Sequence, residues 1–335
     1  MKVLVTGASG FLGGYVIKRL MERGYNVRGT IRTPGKERKL ADMNIETVHM
    51  DLLKPENFST ILKGMDAIIH LAAYYTFTGR KELYKRINVE GTRLLAEAAL
   101  KSGIKRFIYC SSTEAIGPVE KPPGNEETTP NPQFEYGRSK LEAEKAIMKL
   151  GNLGLEYTII RPSGLYGPGN INDVSYWFIT SVAKGGILSK LMIGDGNALV
   201  QFAHVDDVAR GFTLALEKGQ IAFKETYILS EERAYTYKEV YNILSEILDM
   251  EPPKYSIPPS IAKILLTFTE AYDKLRGGNN FLLRRMLVDA VTKHRAYSIE
   301  KARRELGYTP KYNLREGLRE TIEWYMDQGI IKINK

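Results

Sequence analysis

Lys2-Val3-Leu4-Val5-Thr6 followed by Gly7-Ala8-Ser9-Gly10-Phe11-Leu12-Gly13-Gly14 opens the chain and decides how it is read. The short apolar run predicts a buried strand. The glycines predict a tight turn, and Tyr15 to Arg23 predicts a helix. Strand, glycine turn and helix start are the context that a dinucleotide-binding fingerprint requires. Glycines let the backbone approach a pyrophosphate, and the helix N-terminus offers unpaired N–H groups and the positive end of a dipole. The spacing is GxxGxxG, not GxGxxG. The plainer alternative is an ordinary glycine turn between a strand and a helix.

Working outward, buried-strand candidates recur at Val3–Val5, Val27–Ile31, Glu46–Met50, Ala67–Leu71, Arg106–Cys110, Tyr157–Ile160 and Thr226–Leu229. Helical stretches such as Lys81–Lys101 and Tyr136–Leu150 separate most of them. Strands alternating with helices predict an α/β fold, a parallel sheet wrapped on both faces by right-handed crossovers. Ligands of such sheets bind at the carboxyl ends of the strands. Thr6, Arg32, Asp51, Ala72, Ser111 and Arg161 sit at those ends. After Gly164 the sequence turns irregular and mainly helical, with sheet-like returns around Phe202–Val205 and Thr226–Ser230. The expected division is a dinucleotide-binding domain over 1–165 with returning segments near 200–232, and a smaller substrate domain over 166–199 and 233–335.

Tyr136-Gly-Arg-Ser-Lys140 places a phenol and an ammonium four residues apart on one helix face. A free tyrosine keeps its proton to pH ~10, and a neighbouring cation favours the phenolate. A tyrosine tuned in this way is a usable general acid or base.

Composition bounds the function. With 43% hydrophobic and 26% charged residues, the chain is that of a soluble globular protein. A single cysteine, Cys110, fits a reducing compartment, and the expected location is cytoplasmic. The four histidines lack metal-ligand spacing, so no metal is expected. The net charge of +9 is spread along helices where Lys and Arg alternate with Glu. No nucleic-acid module is present, and no nucleic-acid partner is expected. No apolar run reaches transmembrane length. Ile261–Tyr272 is apolar at helical spacing and reads as a core or lid helix, with membrane-surface contact the alternative.

Taken together, Thr6-Gly7-Ala-Ser-Gly10-Phe-Leu-Gly13, Asp51-Leu52, His70-Leu-Ala-Ala73, Asn88-Val-Glu-Gly-Thr92, Ser111-Ser112, Tyr136-xxx-Lys140, Arg161-Pro162-Ser163 and His204-Val-Asp-Asp207 resemble the extended short-chain dehydrogenase/reductases, the group that includes the NAD-dependent epimerase/dehydratase family. The likeness covers nearly the whole chain and points nearest to the dihydroflavonol-reductase and 3β-hydroxysteroid-dehydrogenase branch. It implies a Rossmann-type doubly wound parallel sheet of about seven strands with a smaller, mainly helical C-terminal substrate domain. It also implies a homodimer. Gly7, Ser9, Gly10, Phe11, Leu12 and Gly13 would hold the cofactor phosphates. Asp51 and Leu52 would meet the adenine, and Leu71, Ala72 and Ala73 would let the ribose approach. Pro162 would pass the nicotinamide, and Lys140 would bond its ribose. Ser112 and Tyr136 would hold and protonate a substrate oxygen, and Ser111 would be structural. Tyr74, Glu114, Ser163 and Tyr166 are the substrate-contact candidates.

Arg32 bears on the cofactor. The second strand ends Thr30-Ile31-Arg32-Thr33-Pro34 without the acid that grips an NAD 2′-hydroxyl. An arginine there suits a 2′-phosphate, so NADP(H) is expected over NAD(H), against the alternative of a plain surface arginine. For the substrate, the resemblance leaves two enzyme readings. One is an oxidoreductase of a secondary alcohol or ketone. The other is a nucleotide-sugar epimerase or decarboxylase, UDP-sugar 4-epimerase-like, with tightly bound NAD. Gln201 stands where such epimerases carry an arginine for the sugar diphosphate, and Thr113 stands where dehydratases carry an aspartate. Tyr74, Tyr75, Phe77, Tyr166, Tyr176, Trp177 and Phe178 fall in segments expected to border the cleft, and an aromatic pocket suits a ring ketone or sterol-like alcohol. A non-catalytic cofactor sensor on the same fold is the third reading; the retained Ser112, Tyr136 and Lys140 argue against it.

Overall fold

The computed structural model describes residues 1–332 apart from 105, 186 and 279, with backbone alone at 37–39, 42 and 188. The expected strands form at Lys2–Thr6 (β1), Asn26–Ile31 (β2), Glu46–His49 (β3), Ala67–His70 (β4), Arg106–Cys110 (β5), Glu156–Pro162 (β6) and Glu225–Leu229 (β7). They make one sheet in the order β7-β6-β5-β4-β1-β2-β3. Every neighbouring pair is parallel. The sheet is thus the expected doubly wound Rossmann type.

Its central strands carry continuous apolar runs, Val3–Val5, Ala67–Ile69 and Phe107–Cys110, because helices cover both faces. Val3 and Val5 face Val16 and Leu20 of α1 (Phe11–Glu22), with Val208 and Phe212 of the helix Val205–Glu217 in the same cluster. Leu4 faces the other side, with Leu95 and Ala99 of α2 (Thr92–Lys101) and Ala143 and Ile147 of α3 (Glu135–Gly151). The direction of strand succession reverses between β1 and β4, which opens a crevice at their carboxyl ends. His70 ties that point together: its ring nitrogens lie 2.7 Å from Thr6 Oγ1 and 2.9 Å from Thr92 Oγ1. Burial pushes its pKa down to about 3, so it remains a neutral strut.

The expected helix over 81–101 contains a widened π turn at Tyr84–Gly91 before α2. The turn carries Asn88. Its Oδ1 accepts from the Tyr74 N–H at 2.7 Å, and its Nδ2 donates to the Tyr74 carbonyl at 3.2 Å and to Ser139 Oγ at 2.9 Å. Asn88 thereby clamps the loop after β4 to α3.

A third cluster joins Ile179 and Val182 of α4 (Val174–Ala183) to Leu244 of the helix Tyr237–Leu248 and to Leu318 and Ile322 of the helix Leu314–Asp327. One expectation fails outside it. The stretch expected to be a core or lid helix lies in α5 (Pro259–Leu275), which buries only Ala262, while Ile264, Leu265 and Phe268 face solvent. The side bearing Asp273 is the anchored one, by an ion pair of 2.9 Å to the buried Arg284. Among the described residues no helix is long and apolar enough to cross a membrane.

Candidate active site

A cleft of about 500 Å³ lies at the carboxyl ends of the strands. The whole cofactor set named from the sequence lines it, from Gly7 to Pro162, as do Ser112, Glu114 and Ser163. Gly7 has φ +69°, and a Cβ there would fall 2.9 Å from the Ala72 nitrogen; at Gly13 it would fall 2.3 Å from the Gly7 carbonyl oxygen. The turn therefore accepts no side chain at either position. Gly10 caps α1 without a side-chain hydrogen bond, which leaves first-turn N–H groups free for an anion. These features fit a dinucleotide pyrophosphate.

At the adenosine end, Asp51 Oδ1 closes a turn by accepting from the Leu53 N–H at 3.0 Å. One of its carboxylate oxygens is thus committed to the turn. Arg32 reaches the cleft from the end of β2 and is exposed. Sequence reasoning missed Lys36, a second exposed cation four residues on that lines the same end. The signal was present: two cations and no acid directly after β2.

At the other end, Ser112 Oγ accepts from the Glu114 N–H at 3.1 Å, which leaves its own proton free to donate. Tyr136 is almost fully buried, and no protein group among the described residues bonds its hydroxyl. Its ring meets the edge of Tyr75 at 5.0 Å and packs on Phe77 at 5.7 Å. Tyr75 donates in turn to Asp173, whose carboxyl burial pushes up to about 6. Lys140 Nζ donates to the Cys110 carbonyl at 2.6 Å and lies 5.8 Å from the Tyr136 ring centre. One helical turn below, Glu144 grips Arg161 of β6 with two bonds of 2.9 and 2.7 Å and accepts from Ser111. That buried pair fixes the height of α3 against the sheet, and removing one partner of such a pair costs about 3–5 kcal/mol.

The expected depression of the Tyr136 pKa by Lys140 is not what the protein groups produce. Burial pushes the phenol well above its ordinary value, and burial also pulls Lys140 down. Desolvation of the enclosed phenol dominates, and the acidic groups around it, Asp173 and Glu114, push the same way.

A model of the NAD-dependent epimerase/dehydratase family matches residues 3–229. The chain belongs to that family. Among similar proteins, a 3-beta-hydroxysteroid dehydrogenase of Mycolicibacterium neoaurum is 28% identical over 97% of this chain and 92% of its own. A putative dihydroflavonol 4-reductase of Synechocystis is 29% identical over 98% and 95%. The crystal structure of UDP-glucose 4-epimerase from Thermotoga maritima with UDP-glucose superposes with a TM-score of 0.77 at 26% identity, covering 98% and 99%. Like these relatives, this epimerase/dehydratase family member is an enzyme.

Two of its substrate candidates are placed elsewhere. Tyr74 turns away from the cleft and packs on Tyr84 at 5.0 Å. Tyr75 and Phe77 take the cleft side instead. Tyr166 is buried, donating to Glu231 Oε1 at 2.6 Å. Nor do Tyr176, Trp177 and Phe178 line the cleft; Tyr176 packs on Tyr325 and Phe178 on Tyr241. Phe134, Tyr237 and Phe281 complete the aromatic wall instead. Ser163 does reach the cleft, although its Oγ is shared with Ser230 Oγ at 2.6 Å. Glu114 is held by Arg295 at 3.0 Å, a partner 181 residues away.

Proposed function

We propose that this enzyme is an NADP(H)-preferring oxidoreductase that interconverts a secondary alcohol and a ketone on an apolar substrate. The observation that carries this reading is the free hydroxyl of Tyr136 at the floor of an aromatic chamber formed by Tyr75, Phe77, Phe134 and Phe281. When bound, the nicotinamide supplies or accepts the hydride. The chain's own residues do the rest. Ser112 donates to the substrate oxygen and fixes its direction. Tyr136 gives that oxygen its proton during reduction and takes it back during oxidation. Lys140 holds the cofactor ribose and keeps positive charge beneath the phenol. Arg32 and Lys36 bind the 2′-phosphate, and Asn88 holds the loop carrying Tyr75 and Phe77 in place. The dehydrogenase and reductase relatives support the reaction type.

The likeness to UDP-glucose 4-epimerase favours the alternative, a sugar-nucleotide epimerase. The groups that would meet a sugar diphosphate are a neutral amide and a paired cation, both already engaged. Gln201 donates to the Glu231 carbonyl at 2.7 Å and accepts from the Tyr297 N–H at 2.7 Å. Arg295 is neutralised by Glu114 and stacks over Phe134 at 5.5 Å.

NADPH absorbance at 340 nm, followed with alicyclic ketones across a pH series, tests the reading. Net NADPH loss is expected. Because burial raises the Tyr136 pKa, the phenol stays protonated through pH ~10. Ketone reduction therefore keeps its rate on the tyrosine's account up to that pH, while alcohol oxidation, which needs the phenolate, climbs throughout. No absorbance change with any ketone, together with C4 inversion of a UDP-sugar, would establish the alternative.

A further inference from the structure

We propose that α5 is a membrane-surface helix, which lays its outward stripe into the interfacial layer of a bilayer containing anionic lipid. The stripe is Ile261, Ile264, Leu265, Phe268, Tyr272 and Leu275, each between 47% and 87% exposed. The spacing, i, i+3, i+4, i+7, i+11 and i+14, is that of one helix face, and here that face points outward. Tyr255, in the strand Tyr255–Ile257 just before the helix, adds a 71%-exposed ring.

The orientation is built in. Thr269 Oγ1 donates to the Leu283 carbonyl at 3.1 Å, Asp273 pairs with Arg284 at 2.9 Å, and Glu270 Oε2 accepts from the Arg285 N–H at 3.0 Å. Rolling the apolar stripe inward would break the Arg284–Asp273 pair, whose guanidinium is buried. An uncompensated buried cation is strongly destabilising, so the stripe stays outside.

Charge selects the occupant. Residues 251–285 carry six basic side chains against three acidic, on a chain of net +9. At the far end Arg276, over the Tyr272 ring at 4.7 Å, and Arg285 are exposed with no acidic partner among the described residues. Lys274 pairs with Glu270 and, at the near end, Lys254 pairs with Glu251 at 2.5 Å, so that the segment keeps its net positive charge. A two-fold pairing of this helix with a second copy would bring two net-positive segments together. An anionic lipid surface complements both the apolar stripe and its basic far end. The helix also leads directly into the cleft. Six residues after Leu275, Phe281 lines the aromatic chamber and packs on Phe77 at 5.3 Å. A bilayer-seated α5 therefore sets the cleft beside the layer in which an apolar substrate dissolves. This consequence for the substrate rests on the oxidoreductase reading; the membrane contact does not.

The test is flotation of the full chain with phosphatidylcholine vesicles, with and without phosphatidylglycerol. Binding is expected with phosphatidylglycerol, weaker without it, and weakened by high salt as screening shortens the reach of the charges. Leu265→Glu with Phe268→Glu should reduce binding about tenfold or more. Both side chains are exposed, so thermal midpoint and NADP(H) affinity should be unchanged. Failure of the parent chain to float, equal flotation of the double variant, or a parent dimer that the variant splits while neither floats would each overturn the proposal. NADPH oxidation with a water-soluble ketone, run without vesicles, reports on the oxidoreductase reading separately. If that assay fails while flotation behaves as expected, the chemistry is wrong and the membrane contact stands.

Discussion

Tyr136→Phe is expected to lower turnover about a thousandfold, within the range that a positioned acid–base group contributes, while leaving NADP(H) affinity within about twofold. The substitution removes one oxygen. The ring stays in its aromatic packing with Tyr75 and Phe77, and no protein partner of the hydroxyl among the described residues is left unsatisfied. Fold and cofactor site should therefore survive, which makes the kinetic loss attributable to the missing proton. Steady-state rates with NADPH and a fluorescence titration of cofactor binding make the comparison. Retained turnover would mean that another group moves the proton.

The second large effect concerns cofactor choice. Arg32→Ser combined with Lys36→Ser should weaken NADPH binding about a hundredfold and change NADH binding little. Each charge-assisted hydrogen bond to a phosphate is worth about 1.5–3 kcal/mol, and about 1.4 kcal/mol corresponds to tenfold. Solvent at this exposed end reduces the sum, which is why the expectation sits near the lower figure. Titration of both cofactors against both proteins checks it. Equal losses for NADPH and NADH would place the two cations on the shared pyrophosphate, not on the 2′-phosphate.

The first prediction and the Arg32 half of the second rest on features that were legible in the sequence for a physical reason. The glycine turn, the strand-end residues and the Tyr136–Lys140 pair are local. A few consecutive residues, or one helical period, fix their geometry, and each of the seven strands lies within two residues of its expected bounds. What escaped depends on contacts distant in sequence. Tyr166 is claimed by Glu231, whose carboxyl burial lifts to about 8, so the phenol is committed to the core. Glu114 is set by Arg295. The stripe of α5 was visible as a helix face, but periodicity does not say which face is inside; the Asp273–Arg284 pair decides that. The pKa direction of Tyr136 was misjudged for the same reason. A four-residue spacing shows that Lys140 is near, whereas the desolvation that outweighs it comes from the whole enclosing fold.

The most direct measurement is the fate of a labelled hydride. NADPH carrying deuterium at the transferable C4 position is turned over with an alicyclic ketone, and the product is analysed by mass spectrometry. The account predicts one deuterium on the carbinol carbon of the product alcohol, with NADP⁺ formed in equal amount and the transfer abolished by Tyr136→Phe. It would be contradicted if the label stayed on the cofactor, no alcohol formed, and the enzyme instead inverted a sugar nucleotide without net oxidation of its cofactor.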